Sequence, residues 1–324
     1  MNRAGDAGWD DDRFIDLYTS VDNVGRWGLD DEIGTLNYIT PDKRREGAGL
    51  VTTGLTVSLA LPLGGEPSAA LEIEHRMLYG PGGETDETPR SAGDYLGLEI
   101  HQRGLTHLDC LSHMAGYDGQ AYNGRRFNEV VTDRGPTHGS IQALREGVFT
   151  RGVLLDVAAA QGVGWLEPSH EISVSDLEVA ERFGGARVTS GDAMVLRTGA
   201  EARESSLGLS VLGSGPGPEC IEWMHDREVA VYTGDAPERI TLEGARILGR
   251  TETSAEEGGP SSRFPLPLHQ IGIPAMGLVL LDHCCVEQLA STCRGLGRYE
   301  FLFVAAPLPL EGGTGSPVNP LAVF

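Results

Sequence analysis

The stretch His101-Gln102-Arg103-Gly104-Leu105-Thr106-His107-Leu108-Asp109-Cys110-Leu111-Ser112-His113 gathers metal-capable and proton-transferring side chains more densely than any other part of the chain. In an extended backbone side chains alternate between faces, so His101, Arg103, His107 and Asp109 are expected on one face. Imidazole nitrogen and carboxylate oxygen are the ligands of hydrolytic Zn and Mn sites, and a His and an Asp two positions apart on one strand face can grip the same divalent ion. His113 falls where the chain is expected to turn, close enough to handle a proton without being forced into the coordination sphere. A lone buried histidine is more often a satisfied core residue than a ligand. Three histidines and an aspartate within thirteen residues favour a functional site.

The remainder of the chain has to build a scaffold around this stretch. At 324 residues with 40% hydrophobic content, it is long and apolar enough for a sizeable core. A formal net charge of -22 repels nucleic acid and anionic membranes, so neither is expected as a partner. Lys43 is the sole lysine, which excludes Schiff-base catalysis at any other position. The five cysteines, Cys110, Cys220, Cys284, Cys285 and Cys293, are odd in number and form no C-x-x-C pair, a pattern of reduced thiols in a cytoplasmic protein. No apolar leader and no bilayer-length apolar run is read from the sequence.

Residues 1–24 are acidic and are expected to form a loose arm, with Phe14, Ile15 and Leu17 as docking points, ahead of a catalytic domain over 25–324. Thr40-Pro41-Asp42 signals a helix start, with the helix running to about Thr53. Thr56 to Leu63 reads as a strand, and the strand carrying the motif is expected to begin near Tyr95. Between them, residues 64–92 form a Gly- and Pro-rich excursion, read as a lid or an oligomer contact, with His75 as a surface residue. Tyr117-Asp118-Gly119 and Asn123-Gly124 predict a hairpin-like loop. Further strands are expected at 152–157, 193–197, 229–232, 277–281 and 299–305. Helices are expected from Ser175 to Phe183, from Pro218 to Asp226 and from Val286 to Cys293, with a mobile loop at 252–263. Asp235, at the end of a strand, is placed to orient a ligand from outside the coordination sphere. Short strands interleaved with helices give an α/β fold, with α+β as the alternative, in one domain.

Thr106-His107-x-Asp109-x-x-x-His113 resembles the H-x-G-T-H-x-D-x-P-x-H signature of the cyclase family that includes bacterial kynurenine formamidase and isatin hydrolase. Trp27-Gly28, Asp31-Glu32-Ile33-Gly34-Thr35-Leu36-Asn37, Tyr122-Asn123-Gly124, Pro267-Leu268-His269 and the tail Gly313 to Pro320 resemble its long-chain bacterial branch. The resemblance implies a swivelling β/β/α fold, a homodimer or homotetramer, and a small-molecule substrate. It also implies that His269 and an acidic residue about a dozen positions later, which Asp282 fits, complete a metal site with His107 and Asp109. His283 becomes either a replacement ligand or a helix cap. Trp27 either covers a planar substrate or packs at the domain edge, and Tyr122 either contacts substrate or is structural. Two positions depart from the pattern: the first ligand histidine is Arg103 and the glycine before Thr106 is Leu105. Arginine keeps its proton and cannot ligate a metal.

These residues admit three readings. The first is hydrolysis of a small amide, formamide, lactam or lactone by water activated on Zn or Mn, with His101 as substitute ligand and His113 as acid and base. In the second, a metal-free cyclase or dehydratase of a biosynthetic pathway, Arg103 takes the cation's place and binds substrate while His107, Asp109 and His113 shuttle protons. The third is a non-catalytic binding protein on the same scaffold.

Overall fold

A computed structural model describes residues 9–64, 72–80, 91–249 and 263–324. The predicted excursion 64–92 is described only in part, and of the 252–263 loop only Arg263 falls within the described residues.

Residues expected to form a loose arm instead form a helix, Asp11–Ser20 (α1). Asp10 caps it by accepting the Arg13 N–H, and the stripe Phe14 and Leu17 is buried, with Phe14 stacked on Phe264 at 4.9 Å. The apolar stripe outweighs the acidic composition on which the loose-arm expectation rested. The next helix, Pro41–Gly49 (α2), starts as predicted, with Thr40 Oγ1 accepting from the Lys43 N–H. It stops before Thr53, in a stretch where Gly47 and Gly49 weaken the helix.

The strands of three or more residues, in chain order among the described residues, are Thr56–Ser58 (β1), Ile73–Tyr79 (β2), Ala92–Leu98 (β3), His107–Asp109 (β4), Val148–Asp156 (β5), Ala193–Arg197 (β6), Val231–Gly234 (β7), Val279–Asp282 (β8), Glu300–Ala305 (β9), Gly315–Pro317 (β10) and Leu321–Val323 (β11). Nine of them form one mixed sheet in the order β1-β11-β9-β5-β6-β7-β8-β4-β10. Its centre, β5 to β8, is parallel, and β6, β7 and β8 are buried at every position, as strands covered on both faces must be. The helices after β5 include Val174–Gly184 (α3), Ala200–Leu207 (α4), Glu219–Asp226 (α5) and Glu287–Leu296 (α6). Ser173, not Ser175, caps α3, in a reciprocal capping box with Asp176, and Gly185 at φ 65 ends it. This is the mixed α/β single domain expected from the sequence. No helix among the described residues is long and apolar enough to cross a membrane.

One expectation about the motif is corrected. The strand near Tyr95 does not continue into it: β3 pairs with β2 in a separate hairpin, and only His107–Asp109 is extended. Residues 99–106 turn, with Gly104 at φ 86 reversing the path, so the parity that put Arg103 beside His101 and His107 does not hold.

Candidate active site

Register assembles the centre. β4 lies antiparallel between β8 and β10, pairing His107 with Asp282 and Asp109 with Gly315. Directly opposed residues sit side by side on one face, so a ligand pair 175 positions apart in sequence is joined by two strand neighbours. His269 comes from a π-helical segment, Leu268–Met276, whose widened turn is the kind found at functional sites. His113 follows β4 in the turn closed by its own N–H to the Cys110 carbonyl.

These side chains converge. Asp109, 1% exposed, has Oδ1 at 3.0 Å from His101 Nδ1 and 3.4 Å from His107 Nε2. Its Oδ2 lies 3.8 Å from His269 Nε2 and 4.0 Å from His113 Nε2. His269 Nε2 is also 3.2 Å from Asp282 Oδ2. The His107 Nδ1–H donates to the Leu105 carbonyl at 2.8 Å, which fixes the tautomer and leaves Nε2 as a lone pair facing the carboxylates. Nε2 of His101 is held by Thr314 Oγ1 at 2.9 Å, and its ring stacks on His113 at 3.7 Å. A Cβ at Gly315 would come within 2.7 Å of the His101 ring, so glycine there is what lets the imidazole lie over β10.

The charges are matched to a cation. Burial opposes ionisation of Asp109, but His113, with His101 and His107, outweighs it and holds the carboxyl below the usual carboxylate range. Asp282 is likewise lowered: burial raises it, and His269 more than compensates. Burial pushes the His113 imidazole down to about 4, against the pull of Asp109, which suits a neutral base at pH 7. His269 is raised well above the usual histidine range by Asp282 and Glu238 despite its burial.

Both oxygens of Asp109, Oδ1 of Asp282 and Nδ1 of His101 are buried without a hydrogen bond. Unsatisfied buried acceptors are costly, and a divalent ion answers them all at once. Two ligand sets share Asp109: His101, Asp109 and His113, and His107, Asp109 and Asp282, each with its ligand atoms within 4.8 Å of one another. The residues therefore fit a divalent cation held by nitrogen and oxygen ligands, the chemistry expected from the sequence.

Beside this centre lies a cavity of about 610 Å³. Leu61, Leu166, Leu212 and Ile240 give it apolar walls, and two of its lining residues, Glu238 and His283, neighbour the centre through His269 and His107. His283 sits at φ 56, a strained conformation for a side chain this size; its carbonyl accepts from Thr106 Oγ1 at 2.6 Å, and its ring lies 6.2 Å from that of His107.

Several predicted site residues lie elsewhere. Arg103 is in the cavity wall, where it donates to the Glu204 carboxylate on α4 and to the Ser210 carbonyl at 3.0 Å, and makes no ion pair with Asp109. Trp27 packs edge-on against Tyr38 at 5.0 Å, and neither Trp27 nor Tyr122 lines the cavity. Tyr122 is buried, its hydroxyl donating to Asp31 at 3.1 Å. Asp235 orients no ligand: it accepts the N–H groups of Thr198, Gly199 and Ala200 and so pins the start of α4. Glu238 contacts His269 instead, with Oε2 at 2.8 Å from Nδ1. Sequence reasoning missed it, because nothing local marks a glutamate whose partner is 31 residues away.

The Cyclase family model matches residues 56–238, more than half of the chain. The chain belongs to the cyclase family. No curated protein matches this cyclase-family chain in sequence. Among solved structures it is similar to one described as a novel cyclase, at 29% identity and a TM-score of 0.76, covering 94% of this chain and 100% of the other. It shares its fold with an isatin hydrolase bound to the product analogue thioisatinate, at 18% identity and a TM-score of 0.54, covering 88% and 99% of the two chains. Isatin hydrolase A from Labrenzia aggregata, bound to benzyl benzoate, has the same identity and TM-score over 85% and 94%.

Proposed function

We propose that this cyclase-family enzyme is a hydrolase of small amides, formamides, lactams or lactones that works with a divalent Zn or Mn ion. One observation carries the reading: the buried carboxylates of Asp109 and Asp282 converge with four histidines while three of their four oxygens lack a hydrogen bond. His107, Asp109, His269 and Asp282 are the ligands expected from the family, and His101 takes the position that Arg103 vacates. A bound ion supplies Lewis acidity, polarising a carbonyl and lowering the pKa of water. His113, neutral and 4.0 Å from Asp109, takes a proton from the attacking water and returns it to the leaving nitrogen or oxygen. The apolar cavity walls receive the substrate's body and exclude water from the reacting carbonyl.

The metal-free alternative needs the Arg103 guanidinium beside Asp109, and Arg103 is engaged by Glu204 and Ser210 instead. Elemental analysis of protein purified without chelator or affinity-tag metal tests the proposal. About one or two equivalents of Zn or Mn per chain are expected. Hydrolysis of formanilides and lactones should stop on chelation and return with the ion; activity unchanged after complete removal sinks the proposal. With the ion retained, His113→Ala should lower kcat by about 10²–10⁴-fold.

A further inference from the structure

Glu238 has a position that the proposed mechanism leaves unused. Its side chain is buried at 2% exposure, and both oxygens are engaged: Oε1 accepts the N–H of Leu268 and Oε2 lies 2.8 Å from His269 Nδ1. A carboxylate only accepts, so Nδ1 of His269 carries a hydrogen to Glu238; Nε2 faces Asp282 and Asp109, 3.2 and 3.8 Å away, with a hydrogen to Asp282 that an ion would replace. The same carboxylate ties the first N–H of the π-helical segment, so ring orientation and backbone are set together.

The loop that presents Glu238 is itself clamped. Gly213 and Ile240 exchange backbone hydrogen bonds of 3.1 and 3.0 Å. Arg239 Nε donates to the Ser169 carbonyl at 3.0 Å and Nη1 pairs with Glu171. A Cβ at Gly215 would lie 2.3 Å from Arg239 N and 2.6 Å from Glu238 C, so only glycine admits this approach. A side chain fixed from this many directions holds a single orientation.

We infer that Glu238 is a positioning residue: it fixes the ring and tautomer of His269 so that Nε2 is delivered as a ligand to the divalent ion. The inference rests on the proposed metal site. Carboxylates placed behind a ligating histidine raise its basicity and lock its ring, and their loss weakens metal binding. Glu238→Gln keeps the shape but gives its amide oxygen to only one of the two donors, leaving an NH₂ group against the other.

The test is Zn and Co titration of the full chain, with chelator competition for affinity and the visible Co spectrum for ligand geometry. Glu238→Gln should weaken both ions by about 10–100-fold and change the Co spectrum, while the ion-free protein still unfolds in a single cooperative thermal transition at a modestly lower temperature. In a double-mutant cycle, Glu238→Gln should add little to His269→Ala, because it acts through that ring. Wild-type affinity and spectrum in Glu238→Gln, or equal weakening with and without His269, overturns the inference and leaves the metal reading standing. A wild-type chain that takes up neither ion overturns both.

Discussion

Two buried clusters of charge in this molecule look alike and behave differently. Around Asp192, which is 0% exposed, the chain supplies its own cations: Lys43 Nζ at 2.6 Å from Oδ1 and Arg151 Nη2 at 2.7 Å from Oδ2, with the Thr189 N–H at 2.8 Å. Around Asp109, 1% exposed, the neighbours are histidines, and neither oxygen has a hydrogen bond. Lysine and arginine keep their protons and close a cluster permanently, whereas histidine offers a lone pair and leaves room for an ion. Burial and charge alone therefore do not mark the site; acceptors that the chain leaves unanswered do.

Substitution should separate the two clusters. Asp109→Asn should remove ion uptake and turnover, together with the roughly 3–4 kcal/mol of stabilisation that an ion at 100–1,000 times its Kd gives the wild type. Thermal unfolding with and without Zn reads this directly. Asp192→Ala takes the buried partner from Lys43 and Arg151, leaving them Glu46 and, for Arg151, Glu300, and should cost up to about 3 kcal/mol in urea unfolding, with ion affinity unchanged. If Asp192→Ala also abolished ion binding, the contrast between the clusters would be lost.

Asp235 sharpens the comparison from a third environment, where a half-buried carboxylate is held by backbone N–H groups. Burial pushes its carboxyl up to about 6 from 3.8, even though those groups and Arg197 oppose the shift. The folded chain thus holds this proton more tightly than the unfolded chain. The associated stability is fully present below pH 3.8 and is lost as pH rises through about 6. A shift of this size corresponds to roughly 3 kcal/mol, and Asp235→Asn should flatten the stability profile over that interval. The smallest effect is expected at Arg103. Arg103→Ala should leave ion content intact and change KM several-fold by loosening α4, an effect of about 1 kcal/mol for a part-exposed pair. Loss of the ion in Arg103→Ala would return this residue to the centre.

The motif was legible because it is local. His107, Asp109 and His113 are close in sequence, and the resemblance carried His269 and Asp282 to them. The α/β class was legible from alternating elements, with β6 found at its observed limits, Ala193–Arg197. What failed depended on tertiary geometry. The turn at Gly104 sent Arg103 away from His101 while the strand period predicted that they would stay together. Tyr122 and Trp27 have the chemistry of substrate contacts, yet packing on Asp31 and Tyr38 claims them. Asp235 and Glu238 are three residues apart, and only the fold assigns one to a helix start and the other to His269.

The contact between His101 and Thr314 spans 213 residues, and β10 closes the far side of β4. Chains emerge from the ribosome N-terminus first. The histidine therefore exists long before the threonine and glycine that seat it. While the intervening chain is being made, His101 lacks the seat that Thr314 and Gly315 give it. If the proposed ion binds, the contribution of His101 to its affinity is thereby tied to the completion of the sheet, and ion affinity would report the last step of folding.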